Sequence, residues 1–189
     1  MSKARKPLTN AAICCLLLAV TAIAIFSTWK QLTQDRGGAS GWNEAGIDML
    51  LEAHPKPDLT PTQVVRIQLA ALRVNDSDDK GIDVCFRFAS PANRNQIGPL
   101  SRFVEIVRSP QYRVMLNHRN SEVGPVTIDD DIAQLPVHLI GRSGEEVVYI
   151  FILSRQKQGE NVGCWMTDGV ITVPNLRRQP SDDGDSIVI

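Results

Sequence analysis

Hydrophobic positions along the chain change their spacing from one region to the next, and each spacing predicts a different element. From Leu8 to Trp29 no residue is charged, and AAICCLLLAVTAIAIF (11–26) is almost wholly apolar. As a helix, those ~22 residues would span roughly 33 Å, enough for the hydrocarbon core of a bilayer. Lys3, Arg5 and Lys6 precede the run, and Trp29 and Lys30 follow it. The positive-inside bias therefore predicts one transmembrane signal-anchor helix over 8–29, with residues 1–7 in the cytoplasm and the remainder on the far side. A signal peptide cleaved near Ala22-Ile23-Ala24 is the alternative and would yield a secreted protein. Against it, the run is long for a signal sequence and no polar segment precedes the cleavage site.

Residues 30–58 read as a stalk. QLTQDRGGASGWNEAG (31–46) is polar and glycine-rich, and Ile47, Leu50, Leu51 and His54 then repeat at helical spacing until Pro55. The folded unit is predicted over 59–173. Thr60-Pro61-Thr62-Gln63 is a helix start, with Thr60 as cap, Pro61 in the first turn and Gln63 closing a capping box. Val64, Val65, Gln68, Leu69 and Leu72 mark the buried face of that helix, with Gln68 as its polar exception. NDSDDKG (75–81) ends it, a second short helix is predicted over 82–88, and Leu100, Phe103, Val104 and Val107 define a third. In FRFASPANR (86–94), Cys85, Phe86, Phe88 and Ala89 are expected under the first helix, with Arg87 on the opposite side. Asn93 or Arg94 is expected to bond carbonyls exposed at the Ser90-Pro91 corner.

Beyond Ser121 the period becomes two. IAQLPVHLI (132–140) places Ala133, Leu135, Val137 and Leu139 on one side, and its Pro136 predicts an edge strand or a bulge. VVYIFIL (147–153) is apolar on both faces and is predicted to be central, and CWMTDGVITV (164–173) is the last strand. Helices followed by hairpin-linked strands give an α+β fold, in which the helices cover one face of a curved antiparallel sheet. Residues 174–189 lose periodicity, gain charge and read as a disordered tail. Their apolar end, Ile187-Val188-Ile189, is a weak signal for a PDZ-type receptor or a protease that reads chain termini.

Composition narrows the function. The formal net charge is −1 and aromatic residues are sparse, so neither a basic field nor a stacking platform points to nucleic acid. Histidines at 54, 118 and 138 and cysteines without C-x-x-C spacing fit no zinc site, and no glycine-rich phosphate loop or cofactor motif is present. Cys14 and Cys15 belong to the apolar run. Cys85 and Cys164 are the pair within the folded unit, read either as a disulfide or as two buried thiols.

The series NDSDDKGID, FRFASP, GPLSRF, YRVMLNHRNSEV and FILSRQ…GCWMTDGV resembles the family catalogued as domain of unknown function 4864. That family is similar to the nuclear transport factor 2-like superfamily, so the resemblance implies a cone in which helices fill the hollow of a bent sheet. It implies no activity and no catalytic residues. An acid–base enzyme of isomerase or hydratase type would need a buried acid or base facing a polar partner across an apolar pocket. His118 and Asp168 are the candidates for that chemistry. Asp168-Gly169 also reads as a bulge device, and His138 shares a polar strand face. Tyr112 and Trp165 are candidates for pocket lining, and Arg94 and Arg102 for holding a ligand anion at the cone mouth. The absence of a clear acid–base pair favours a non-catalytic module. Its cone would hold a small apolar ligand, or its sheet face would dock a partner protein or a second copy.

Overall fold

The computed structural model describes residues 44–173. The predicted anchor (8–29), the first part of the stalk (30–43), Cys14, Cys15 and the tail (174–189) lie outside them. Among the described residues no helix is long and apolar enough to cross a membrane.

Among the described residues five α-helices come first: α1 (Glu44–Leu51), α2 (Pro61–Arg73), α3 (Lys80–Phe88), α4 (Pro91–Ile97) and α5 (Leu100–Arg108). A single 3-10 turn (Arg113–Met115) leads into β1 (Asn120–Val123), β2 (Thr127–Asp129), β3 (Ile132–Ile140), β4 (Glu146–Arg155) and β5 (Trp165–Val173). The packed unit therefore starts before Leu59. Leu50 of α1 is buried in the core, and Leu51 and Ala53 pack against it.

Helix α2 begins as its sequence dictates. The Thr60 hydroxyl accepts from Gln63 N–H (3.3 Å), and the Gln63 side-chain oxygen accepts from Thr60 N–H (2.9 Å), which satisfies two orphan donors reciprocally. Helix α3 crosses α2 at Gly81, where an added Cβ would lie 2.2 Å from the Ala71 carbonyl oxygen. Only a residue without a side chain permits that approach.

The sheet is antiparallel in the order β1-β3-β4-β5, with β2 also paired to β3. β4 is central, as its two apolar faces predict. β3 is not an edge strand, because β1 and β2 share one of its sides and β4 takes the other. Pro136 is tolerated because the ladder is broken opposite it. β1 ends at Val123, Gly124 N–H donates to Pro136 O (2.8 Å), and β2 resumes at Thr127. The proline's missing donor faces that gap, so the irregularity its sequence signals sits in the partner strand.

Ala133, Leu135, Val137 and Leu139 of β3 and Tyr149, Phe151 and Leu153 of β4 form the inner face. Val64, Val65 and Leu69 of α2 and Ile82, Cys85 and Phe88 of α3 cover it. Each side chain fully buried there stabilises the fold by about 1.5–3 kcal/mol. The outer face carries the register row Pro136–Ile150–Ile171.

A cavity between the helices and the sheet

The FRFASPANR stretch is a corner that guards an edge. After α3 ends at Phe88, Ala89 makes a parallel bridge to Thr167 of β5, and Ser90 N–H donates to Thr167 O (2.9 Å). Ser90 then caps α4 through Asn93 N–H (3.1 Å), and the Asn93 amide donates to the same Thr167 carbonyl (3.0 Å). The carbonyl that Asn93 serves thus belongs to the sheet, not to the end of α3. Arg94 instead rests over the Phe86 ring, 6.0 Å from its centroid. Arg87 turns towards α1, where its guanidinium donates to the carbonyls of Ala53 (2.9 Å) and Leu51. Its Nε lies 3.3 Å from Asp83 Oδ2, an ion-pair contact without hydrogen-bond alignment.

Behind this corner a cavity of about 320 Å³ lies between α2–α5 and the β4–β5 half of the sheet. Phe151 of β4, Leu72 of α2, and Phe103 and Val107 of α5 contribute apolar wall. Ala89, Asn93 and Val170 close the β5 side, and Tyr112 stands with them. The Tyr112 hydroxyl donates to Val170 O (3.0 Å), its ring stacks on Tyr149, and burial pushes its pKa up.

Two buried polar side chains meet on the cavity wall. Gln68 is 3 % exposed and its amide nitrogen donates to Thr167 Oγ1 (2.8 Å), joining α2 to β5 across 99 residues of sequence. The same nitrogen faces Val64 O at 3.4 Å. Gln68 Oε1 accepts no hydrogen bond among the described residues.

β5 carries a bulge here. Thr167 pairs with Leu153 and Gly169 with Ile152, which leaves Asp168 without an opposite residue. Its carboxylate accepts from the Ser154 hydroxyl (2.9 Å), which also accepts from the Gln156 amide (3.0 Å). Ser154 alternates with the inward Leu153, so Asp168, although its residue borders the cavity, directs its carboxylate to the outer side of the sheet.

The sequence-derived candidates are therefore dispersed. His118 follows the 3-10 turn and does not border the cavity. It is 2 % exposed, with Nδ1 2.8 Å from Met115 O and Nε2 unpartnered. That contact assigns the proton to Nδ1, where it can donate to the carbonyl. Burial lowers the His118 pKa, the Met115 bond opposes that shift, and the Arg73 charge adds to it. Asp168 and His118 are not brought together at the cavity. Trp165, Arg94 and Arg102 do not border it, so of the four candidate ligand contacts the cavity takes only Tyr112. His138 pairs with Glu146 (3.0 Å) on the outer face.

Cys85 and Cys164 are free thiols, not a disulfide. The Cys85 thiol points at α2 and donates to Gln68 O (3.6 Å), whereas Cys164 sits at the start of β5. Burial raises both thiol pKa values, so the Cys85 thiol on the cavity wall is protonated and a poor nucleophile. Among the described residues no cationic side chain borders the cavity, and no group of three His, Cys, Asp or Glu could hold a metal ion. Gln68 and Thr167 were not among the candidates. The signal for Gln68 was present, since it is the one polar residue on the apolar face of α2.

A family profile described as domain of unknown function (DUF4864) matches residues 56–180, more than half of the chain. No curated protein and no solved structure matches it significantly.

Proposed function

The chain belongs to the family of domain of unknown function 4864, and we propose that its folded unit is a non-catalytic module that binds a small apolar ligand between its helices and its sheet. The observation that carries this reading is the 320 Å³ cavity, apolar over most of its wall and furnished with one pair of convergent buried polar side chains. Pockets of this size and character are the usual form of small-molecule sites. An acid–base enzyme would need a titratable group facing the cavity. Here His118 lies elsewhere and the Asp168 carboxylate is engaged by Ser154, while the Tyr112 hydroxyl and the Cys85 thiol, which do border the cavity, are shifted by burial towards their protonated forms and donate to Val170 O and Gln68 O. The nuclear transport factor 2-like cone is the finer fold reading, supported by helices packed over one face of an antiparallel sheet with a hollow between them. We further propose that residues 8–29 tether the module to a membrane, with the folded unit on the extracytoplasmic side.

Native mass spectrometry of the full chain, purified from its own cells in mild detergent, tests the binding reading. A co-purifying small molecule is expected, and Val107→Trp, which fills the cavity from α5, should lose it. Retention of the same molecule by the filled variant would sink the reading, as would turnover of the molecule by the purified chain. A second copy or partner protein on the outer sheet face is the other reading, favoured by Ile132 and Ile171, which are half exposed there. A ligand-free dimer in the same spectrum would move the assignment to it.

A further inference from the structure

α4 is the loosest wall of the cavity. It contributes Asn93, Gln96 and Ile97 to the lining, yet none of its seven residues is buried. The other helices that border the cavity are rooted in the core. α2 buries seven residues, α3 buries five, and α5 buries Val107. β4 and β5 are fixed to each other by their ladder. Local contact density sets the free energy of local opening, so α4 is the wall that opens at least cost.

Among the described residues two polar side-chain contacts tie α4 to the body. The Asn93 amide donates to Thr167 O (3.0 Å), and the Arg94 guanidinium lies over the Phe86 ring at 6.0 Å. Each end of the helix can bend. Ser90 is buried and fixed to β5, since its N–H donates to Thr167 O (2.9 Å), whereas Pro91 beside it is exposed. At the other end Gly98 has φ +98°, a backbone region open to glycine, and Pro99 beyond it is exposed. The cavity is only partly open to solvent, so a guest that fills it needs a wall that yields.

Resting on the ligand-binding reading above, we propose that α4 is the lid of the cavity, swinging outward about Ser90 and Gly98 to admit and release the ligand. The rest of the fold stays in place. Opening breaks the Asn93–Thr167 bond and the Arg94–Phe86 contact and keeps the Ser90–Thr167 bond, so the corner itself remains on β5.

Cys85 is a built-in reporter of that motion. Its thiol borders the cavity, is 5 % exposed and is held protonated by burial. Alkylation by N-ethylmaleimide, a small neutral reagent, therefore waits on an opening that admits water and reagent together.

The test follows amide exchange and Cys85 alkylation in the full chain in detergent, at one pH and in low, sub-denaturing urea. Mass spectrometry of the Cys85 peptide separates its labelling from that of the other cysteines. The Arg94 and Gly98 N–H groups, bonded to Ser90 O and Arg94 O (2.9 Å each), should exchange faster than the amides of α2. Urea should speed α2 exchange and leave α4 exchange and Cys85 labelling level, because a local opening exposes little new surface. Arg94→Ala, outside the cavity wall, should speed Gly98 exchange and Cys85 labelling together by about two- to fivefold, the effect of one exposed cation–π contact.

An α4 that exchanges with the same urea dependence as α2 in the unaltered chain overturns the lid without needing any variant. So does an Arg94→Ala chain in which Gly98 exchange quickens and Cys85 labelling does not, because the opening then fails to reach the cavity. If the lid fails in either way while the chain carries a molecule that Val107→Trp loses, the ligand-binding reading stands. Local opening of α4 and Cys85 together in a chain that carries no molecule supports the lid and sinks the ligand-binding reading.

Discussion

Arg87→Ala is expected to release α1 from the folded unit. In the structure the Arg87 guanidinium donates to the carbonyls of Leu51 and Ala53, which the C-terminal end of α1 leaves without helical partners. The side chain is 20 % exposed, and the remaining charge partner, Asp83, is half exposed. A hydrogen bond from a charged donor contributes about 1.5–3 kcal/mol when well buried, and the partial exposure here reduces the pair to about 2–4 kcal/mol in all. A ceiling comes from the helix itself. Once α1 detaches, nothing further is lost at its end, and its docking rests on full burial of Leu50 plus partial burial of Leu51 and Ala53. Burying a leucine contributes about 1.5–3 kcal/mol, so the ceiling and the bond count agree. Arg87→Lys should recover less than half, because a compact ammonium cannot fork between two carbonyls while facing Asp83. Amide hydrogen exchange over residues 44–59 reads the local effect, and urea unfolding reads the global one. Protection in 44–54 that is unchanged in Arg87→Ala, with a stability loss below about 0.5 kcal/mol, would refute the capping role.

Two further outcomes follow from packing and from titration. Gly81→Ala should destabilise the unit by about 3 kcal/mol or more in urea unfolding, because its Cβ would meet the Ala71 carbonyl at 2.2 Å and backbone cannot give way cheaply; a variant of unaltered stability would show that α2 and α3 do not cross there. His118 is held neutral by burial, with a folded-state pKa below its ordinary 6.5. As pH falls through about 6.5 the unfolded chain takes the proton first, so this residue's stabilisation is full above that pH and declines towards the lower folded value. The difference in melting temperature between the unaltered chain and His118→Gln should therefore change over that window and be level above it. A difference that is flat across the window would contradict the buried, neutral imidazole.

Local periodicity carried most of the architecture. The capping box at Thr60, the buried face of α2 and the alternation of β3 are decided by neighbours three or four residues apart, or two, and the structure has them. The parts that escaped are decided over distance. PANRNQI carries one isoleucine and no apolar stripe, yet it is helical in α4, because Ser90 caps it and Asn93 ties it to β5. β1 and β2 are short, β1 half-buried and β2 exposed, and they exist as strands because β3 offers them a ladder. Pro136 announced an irregularity but not which strand would carry it. The cavity was the least legible feature, since its polar pair joins residues 99 positions apart. Gln68 was visible as an anomaly on an apolar face, whereas the Thr167 hydroxyl had no signal of its own. His118 sat beside an apolar run, as a cavity base would, but the backbone bond to Met115 turned it into the packing beside the 3-10 turn.

The outer margin of β5 has a bearing on how large a guest the protein can tolerate. Thr167 and Val170 present carbonyls that would invite another strand, and Ser90, Asn93 and Tyr112 occupy them. Ala89, Asn93 and Tyr112 are also part of the cavity wall. Widening the cavity on that side means peeling those residues from the sheet, and the margin then becomes a template for a neighbouring molecule. Variants selected for bulkier guests through substitutions at Ala89 or Asn93 should accordingly drift towards aggregation, whereas enlargement from α5, at Phe103 or Val107, leaves the margin guarded.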